Sequence, residues 1–336
     1  LSIITIGLFS ISLVVYFNEH KRGVDLVAGS DYIKGLDIGK VQRIVMNFKE
    51  GKELILARED QSFYIENHKS YPASTEKVND LLFKIASIQV REKTDSRVSE
   101  SDLKAYELDE KNALYRVSIF DNNGNKTVSF RVGKSHKGRG NYLFKEGGKD
   151  IYLSADTLFL RSSYTDMIDR LLLKIDEKEI DKISVDTGKK VELVQEEGRF
   201  KIVPSKKNTV DEAKIKDFVS VVKNLSFEEY FKPDEPEVRN LDFNEDIRVQ
   251  LKNKLIYKVS LAQENDKYFL RLNALVDELP NEVVVDKDAD KETLDHIEGM
   301  VKAQGDAQRL NTEKGRWIYS ISKSTFEKMV NEPKNF

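Results

Sequence analysis

The chain repeats itself, which limits its fold to an architecture that can be built twice along one polypeptide. Leu36-Asp37-Ile38-Gly39-Lys40-Val41-Gln42-Arg43-Ile44 is answered by Ile175-Asp176-Glu177-Lys178-Glu179-Ile180-Asp181-Lys182-Ile183, in each case a turn leading into a β-type run. Gly51-Lys52-Glu53-Leu54-Ile55-Leu56 then corresponds to Gly188-Lys189-Lys190-Val191-Glu192-Leu193, and Phe63-Tyr64-Ile65 to Phe200-Lys201-Ile202, at the same spacing in both copies. Two helices are predicted next, at 75–88 and 211–225. Val78, Leu81, Leu82, Ile85 and Ile88 form one apolar stripe, and Ile215, Phe218, Val219, Val222 and Leu225 form the other. Helices of this kind cover a sheet on one face.

Each copy continues with β-type segments. Tyr115-Arg116-Val117-Ser118-Ile119-Phe120 matches Ile247-Arg248-Val249-Gln250-Leu251, and Thr127-Val128-Ser129-Phe130 matches Lys258-Val259-Ser260-Leu261. Asp121-Asn122-Asn123-Gly124-Asn125 between the first two is hairpin chemistry, because Asn and Gly accept positive φ. The first copy closes on 141–144 and 151–158, the second on 267–270 and 319–326. Only the second carries an insert, at about 276–316, with an apolar run around Val283 and Val285 and a helix expected over 290–301 that includes Leu294 and Ile297. These four residues are the candidate partner-docking surface, the alternative being a cap on the end of the second copy.

Ahead of the repeat, residues 1–17 (LSIITIGLFSISLVVYF) carry no charge and show no polar stripe. As a helix they would span roughly 25 Å, just short of a bilayer core of about 30 Å. Because the chain opens on Leu rather than Met, residues upstream are expected to complete the span. The reading is a single-pass membrane anchor in which Gly7, Ser10 and Ser12 allow close helix packing. A cleaved signal peptide fits less well, since no small-residue cleavage site follows closely. Lys21 and Arg22 weakly favour a cytoplasmic body, but without the upstream flank the sequence alone leaves the side open. The expected organisation is therefore an α+β protein: a transmembrane anchor at 1–17, a connector at 18–35, a first repeat at 36–165 and a second at 166–336, each a mixed β-sheet plus helix.

Composition removes several functions. A net charge of −3 on 336 residues gives no cationic surplus for nucleic acid, and the absence of cysteine excludes disulfides, thiolate nucleophiles and Cys-ligated zinc.

Tyr106-Glu107-Leu108 and Val132-Gly133-Lys134, set in this twice-repeated pattern behind an apolar anchor, resemble a bacterial family known as domain of unknown function 4340. In the second copy the turn is reduced to Asn240-Leu241 and the Val-Gly-Lys end is not visible. The resemblance implies a membrane-anchored protein of the inner membrane with a periplasmic body, acting beside ABC-type export systems related to gliding-motility transporters. It implies an integral membrane partner such as a permease, and neither a cofactor nor catalytic residues.

The residues themselves point to little chemistry. His20, His68, His136 and His296 have no metal-ligand spacing. Ser74-Thr75-Glu76-Lys77 has the Ser-x-x-Lys spacing of a serine nucleophile, but Asp211 stands in the same place in the second copy and both residues suit a helix N-cap. Ser101-Asp102-Leu103-Lys104 repeats the pattern elsewhere. Asp286, Asp288 and Asp290 alternate as in a calcium loop, yet Lys291 and Ile297 stand where Gly and Glu are needed. The glycine-rich basic stretch 133–140, with Lys134, His136, Lys137 and Arg139, reads as a mobile hairpin loop or, since its backbone N–H groups could cradle an anion, as a contact with lipid phosphate, an anionic cell-wall polymer or an acidic partner surface. The leading expectation is a non-enzymatic accessory or scaffold subunit. The alternatives are an envelope polymer-binding module and a hydrolase using carboxylates such as Asp217 or Glu229.

Overall fold

The computed structural model describes residues 28–49, 51–161, 163–203, 211–277 and 291–336, without the side chains of 291–293, 295 and 296. The chain divides between Asp169 and Arg170 into two compact units.

The first unit contains β1 (Val41–Phe48), β2 (Glu53–Glu59), β3 (Ser62–Ile65), β4 (Tyr71–Pro72), α1 (Thr75–Ala86), β5 (Val90–Ser96), α2 (Glu100–Ala105), β6 (Tyr115–Asp121), β7 (Lys126–Ser135), β8 (Asn141–Lys145), β9 (Asp150–Ser154) and α3 (Tyr164–Met167). Its sheet has the order β4-β3-β2-β1-β6-β7-β8-β9-β5. Because α1 joins β4 at one edge to β5 at the other, it must cross the sheet face, and Val78, Leu81, Leu82 and Ile85 are buried beneath it. The second unit contains β10 (Ile180–Asp186), β11 (Lys190–Glu196), β12 (Arg199–Val203), α4 (Glu212–Lys223), β13 (Glu229–Phe231), β14 (Glu245–Leu251), β15 (Leu255–Glu264), β16 (Lys267–Val276), α5 (Lys291–Glu313), β17 (Ile318–Ile321) and α6 (Lys323–Val330). Its order is β12-β11-β10-β14-β15-β16-β17-β13, which reproduces the first sheet strand for strand apart from β4. Here α4 joins the two edges, burying Ile215, Phe218, Val219 and Val222.

The likeness extends to local detail. Asp37 accepts the Gly39 N–H and Asp176 the Lys178 N–H, each at 3.1 Å, and each caps the 3-10 turn that opens its unit. One residue later both leading strands carry a bulge, between Val41 and Arg43 and between Ile180 and Lys182. The bulge absorbs one step of the pleat, so residues three apart, Val41 with Ile44 and Ile180 with Ile183, all face a core.

Several expectations need correction. The sheets are not mixed, since every strand pairing in both is antiparallel. The connector does not run loose to residue 35. Gly29 N–H donates to the Val90 carbonyl at 2.8 Å and Tyr32 N–H to the Ile88 carbonyl at 2.7 Å, while Tyr32, Ile33 and Leu36 are buried. The helix of the insert is longer than 290–301, reaching Glu313. After β17 the chain turns into α6, because Ser322 accepts the Thr325 N–H at 3.1 Å and starts a helix where a strand was expected. The anchor at 1–17, with Gly7, Ser10 and Ser12, lies outside the described residues, and among those described no helix is long and apolar enough to cross a membrane.

Candidate basic loop of the first unit

The hairpin from β7 to β8 carries the basic stretch. Ser135 pairs with Asn141, leaving residues 136–140 as the loop. Its base is braced from below. Asn141, 1% exposed, donates its amide to the Gly133 carbonyl at 3.0 Å and accepts the Leu158 N–H at 2.9 Å. The Asn141 N–H donates to the buried Ser154 hydroxyl at 2.7 Å, which in turn donates to the Asp156 carbonyl at 2.6 Å. Buried polar groups hold only when paired, so these bonds tie the loop to β9 and the segment after it. Gly140, at φ 148°, lies so close to the Ser154 carbonyl that a Cβ there would overlap it.

Within the loop, His136 N–H donates to the Gly140 carbonyl at 2.8 Å, Arg139 N–H to the His136 carbonyl at 2.9 Å and Gly138 N–H to Ser135 Oγ at 3.2 Å. Those three backbone donors are therefore committed within the loop and its base. The picture of a mobile hairpin gives way to a braced one. His136 Nδ1 shares a 2.6 Å hydrogen bond with the Tyr142 hydroxyl, whose pKa is held above its ordinary value first by burial and then by Tyr106 and Glu92. The side chains of Lys134, Lys137 and Arg139 are exposed and pair with no carboxylate among the described residues. Beside them Phe159 is 76% exposed, the most exposed large apolar side chain described.

The remaining expected residues are spread over both units. Lys77 Nζ donates to the Ile168 carbonyl at 2.6 Å, and Ser74 heads α1 without a side-chain cap bond, whereas Asp211 accepts the Lys214 N–H at 3.3 Å. The capping role shared by Ser74 and Asp211 is therefore real in one copy only. His68 stacks on Tyr164 with centroids 3.7 Å apart, and burial, then Lys69, lowers its pKa. His20, Val283, Val285, Asp286, Asp288 and Asp290 lie outside the described residues. Leu294 is 44% exposed and Ile297 half-buried on α5, which packs on β16 and β15 through Met300, Ala303 and Ala307. Asp217 and Glu229 are both exposed, on α4 and β13. Sequence reasoning missed Glu332, whose carboxyl is held above the usual range chiefly by burial, with Asp217 and Asp211 adding to it and Lys328 and Lys214 opposing. No periodicity or motif marks that position. Among the described residues no group of three or more His, Cys, Asp or Glu is placed to hold a metal ion.

The two motifs that carry the family resemblance meet at the foot of the loop. Lys134 N–H donates to the Tyr106 carbonyl at 3.2 Å, and the α-carbon of Gly133 presses on the 106–108 turn. A Cβ there would overlap the Tyr106 carbonyl oxygen and stand 3.0 Å from Leu108 Cγ. Glycine is thus required by close approach. The profile of the family described as "Domain of unknown function (DUF4340)" matches residues 64–243, more than half of the chain. The chain belongs to this family. No curated protein and no solved structure matches it. Both contacting segments of the DUF4340 chain fall inside the matched range, and Leu108 heads a buried cluster with Tyr142, Phe144, Ile151 and Leu153, so the turn seals the sheet face that α1 does not cover.

Proposed function

We propose that this DUF4340 chain is a non-enzymatic, membrane-anchored accessory or scaffold subunit of an ABC-transporter-like or envelope complex. Its anchor is the apolar segment 1–17, and its body lies on the extracytoplasmic side of the inner membrane. The observation that carries the reading is an uncharged 17-residue segment followed by two sheet units of the same strand order. The common order is what tandem duplication of one unit leaves behind. A permease-like integral membrane protein is the partner the reading requires.

The test is purification of the full chain in mild detergent with its co-purifying proteins identified. Recovery with a stoichiometric ABC-type permease supports the scaffold. Recovery alone, with retention on an anionic envelope polymer, supports the polymer-binding module instead, for which the unpaired cations of the basic loop are the favouring observation.

A further inference from the structure

The place where the chain enters the first unit is the end of the sheet that carries the basic loop. Gly29 N–H donates to the Val90 carbonyl and Val90 N–H to the Ser30 carbonyl, at 2.8 and 2.9 Å. Val90 is paired with Ser154 on the neighbouring strand, and Ser154 holds the N–H of Asn141 at the base of the loop. Three inter-strand steps of roughly 4.8 Å therefore separate residue 29 from the loop, about 14 Å in all. Residues 18–27, between the apolar segment and the described body, reach at most about 35 Å when fully extended. A tether of that length sets an upper bound of about 35 Å on the distance from residue 28, at this end of the sheet, to residue 17.

That end also has the chemistry of a bilayer surface contact. Among the described residues, Lys134, Lys137 and Arg139 are exposed cations without carboxylate partners, whereas Lys93, Lys126 and Lys258 are paired with Asp150, Glu146 and Asp246. Phe159 stands one residue beyond Leu158, whose N–H is bound to Asn141. Thr157 Oγ1 donates to the Gly138 carbonyl at 3.3 Å, so the segment that carries the exposed Phe159 is tied to the loop that carries Lys137 and Arg139. An exposed aromatic ring and cations on joined segments are the combination that reaches into the boundary between headgroups and acyl chains while the cations hold lipid phosphates. The fold does not demand this loop. At the equivalent hairpin of the second unit, Glu264 pairs with Lys267 across a two-residue turn of Asn265 and Asp266.

We infer that Lys134, Lys137, Arg139 and Phe159 form an anionic-lipid contact that lays this end of the first unit on the membrane surface. The inference rests on the membrane-anchored reading above. It adds to that reading a defined face, a ligand class, namely phosphatidylglycerol-type headgroups, and an orientation.

The chain contains no cysteine, so a single introduced thiol can be spin-labelled without background. Full-length Thr157→Cys places a label beside the loop and keeps all four contact residues. Asn123→Cys places one in the hairpin at the other end of the same sheet. Each is reconstituted into zwitterionic vesicles and into vesicles containing phosphatidylglycerol. Flotation reads anchoring, and label accessibility to oxygen against a water-soluble nickel complex reads lipid contact. The expected result is flotation with both vesicles, with lipid contact at residue 157 only in anionic vesicles and none at 123. Lys134→Glu/Lys137→Glu/Arg139→Glu should reduce the docked-to-undocked ratio roughly 100-fold, three surface cations acting together. Rising salt should do the same to the chain without that charge reversal.

Flotation with equal accessibility at 157 and 123, or contact at 157 that survives charge reversal and salt, overturns the lipid contact and leaves the anchor standing. Shielding of 157 by a soluble anionic polysaccharide but not by anionic vesicles overturns it in favour of a polymer. Flotation with anionic vesicles alone, lost on charge reversal, supports the contact and removes the anchor. Failure to float with either kind of vesicle removes both.

Discussion

The first and second units share an order of strands, a capped opening turn and a bulge one residue into the leading strand, yet they spend their extra residues in different hairpins. The first lengthens β7–β8 into the braced basic loop, where the second has the two-residue turn of Asn265 and Asp266. The second instead lengthens β16–β17, placing α5 along its sheet where the first has only residues 146–149. The longer loop of the first unit comes with a register shift in the β7–β8 ladder, between Val132 and Ser135, whereas β15–β16 and β16–β17 each keep one register throughout. The difference teaches where to look for function: in what one unit has and the other does without. It also changes what can be removed. Ala303 and Ala307 of α5 are buried and Asn311 bonds both the N–H and the carbonyl of Ala274, at 2.8 and 2.7 Å, so the C-terminal half of the insert serves as a wall of the second unit. Deleting the whole of 276–316 would open that wall. A docking role for the insert is better confined to its exposed Leu294 and Val301.

The comparison is broken most forcefully at the helices. Leu81 and Phe218 occupy equivalent places in α1 and α4, and both are buried. Leu81→Ala is expected to cost about 2–5 kcal/mol and Phe218→Ala about 3–5 kcal/mol. The single tryptophan, Trp317, is buried in the second unit and reports on that unit alone. In urea, Phe218→Ala should move the Trp317 fluorescence transition to lower denaturant. Leu81→Ala should leave that transition in place and shift only part of the circular dichroism. If Leu81→Ala moves the fluorescence equally, the units unfold as one and the division at residue 170 is geometric only.

A smaller effect sharpens the same comparison. The strand pairings shift the match expected from sequence by two residues: Met46 and Val185 pair with Val117 and Ile247, and these pair with Phe130 and Val259, so Phe130 corresponds to Val259 rather than Leu261, and Gly133 to Ala262. Gly133→Ala forces a methyl group into the Tyr106 carbonyl and is expected to cost about 3 kcal/mol, the upper end of overpacking. Ala262→Gly creates no overlap and should cost about 0.5–1 kcal/mol, from backbone entropy. Thermal melting of the two variants reads the difference. Equal losses would mean that the approach of the 106–108 turn is not what holds glycine in place.

Legibility followed the physics of each element. The strands that alternate between a core and a second face, and the two helices with a three- and four-residue stripe, were legible because burial writes its period into the residues. The edge strands β5 and β13 were not. Val90-Arg91-Glu92-Lys93-Thr94-Asp95-Ser96 has one buried residue in seven, and its charges suit an edge that must not pair with another chain. α6 was misread because Ser322, its N-cap, follows directly on the alternating Tyr319 and Ile321. At the basic loop, the charges were legible and the brace was not. Asn141 and Ser154 are single polar residues whose burial depends on what the topology brings beside them.

The smallest expected effect concerns the caps, and it bears on the Ser-x-x-Lys pattern at Ser74 and Lys77. Ser74 and Asp211 both precede a twelve-residue helix, α1 or α4, but only Asp211 accepts a backbone N–H, that of Lys214 at 3.3 Å. Asp211→Ala should therefore cost about 0.5–1 kcal/mol, the lower part of the capping range. Ser74→Ala should cost close to nothing, since the bond it makes there is its own backbone N–H to the Met167 carbonyl, at 2.7 Å, and alanine keeps that donor. Lys77, the partner a serine nucleophile would need, donates its ammonium to the Ile168 carbonyl. Equilibrium denaturation of the two variants measures the first expectation. Complementation of a deletion strain by Ser74→Ala measures the second. Lost complementation by a variant of unchanged stability would return Ser74 to consideration as a nucleophile, because no structural role would then be left to explain the loss.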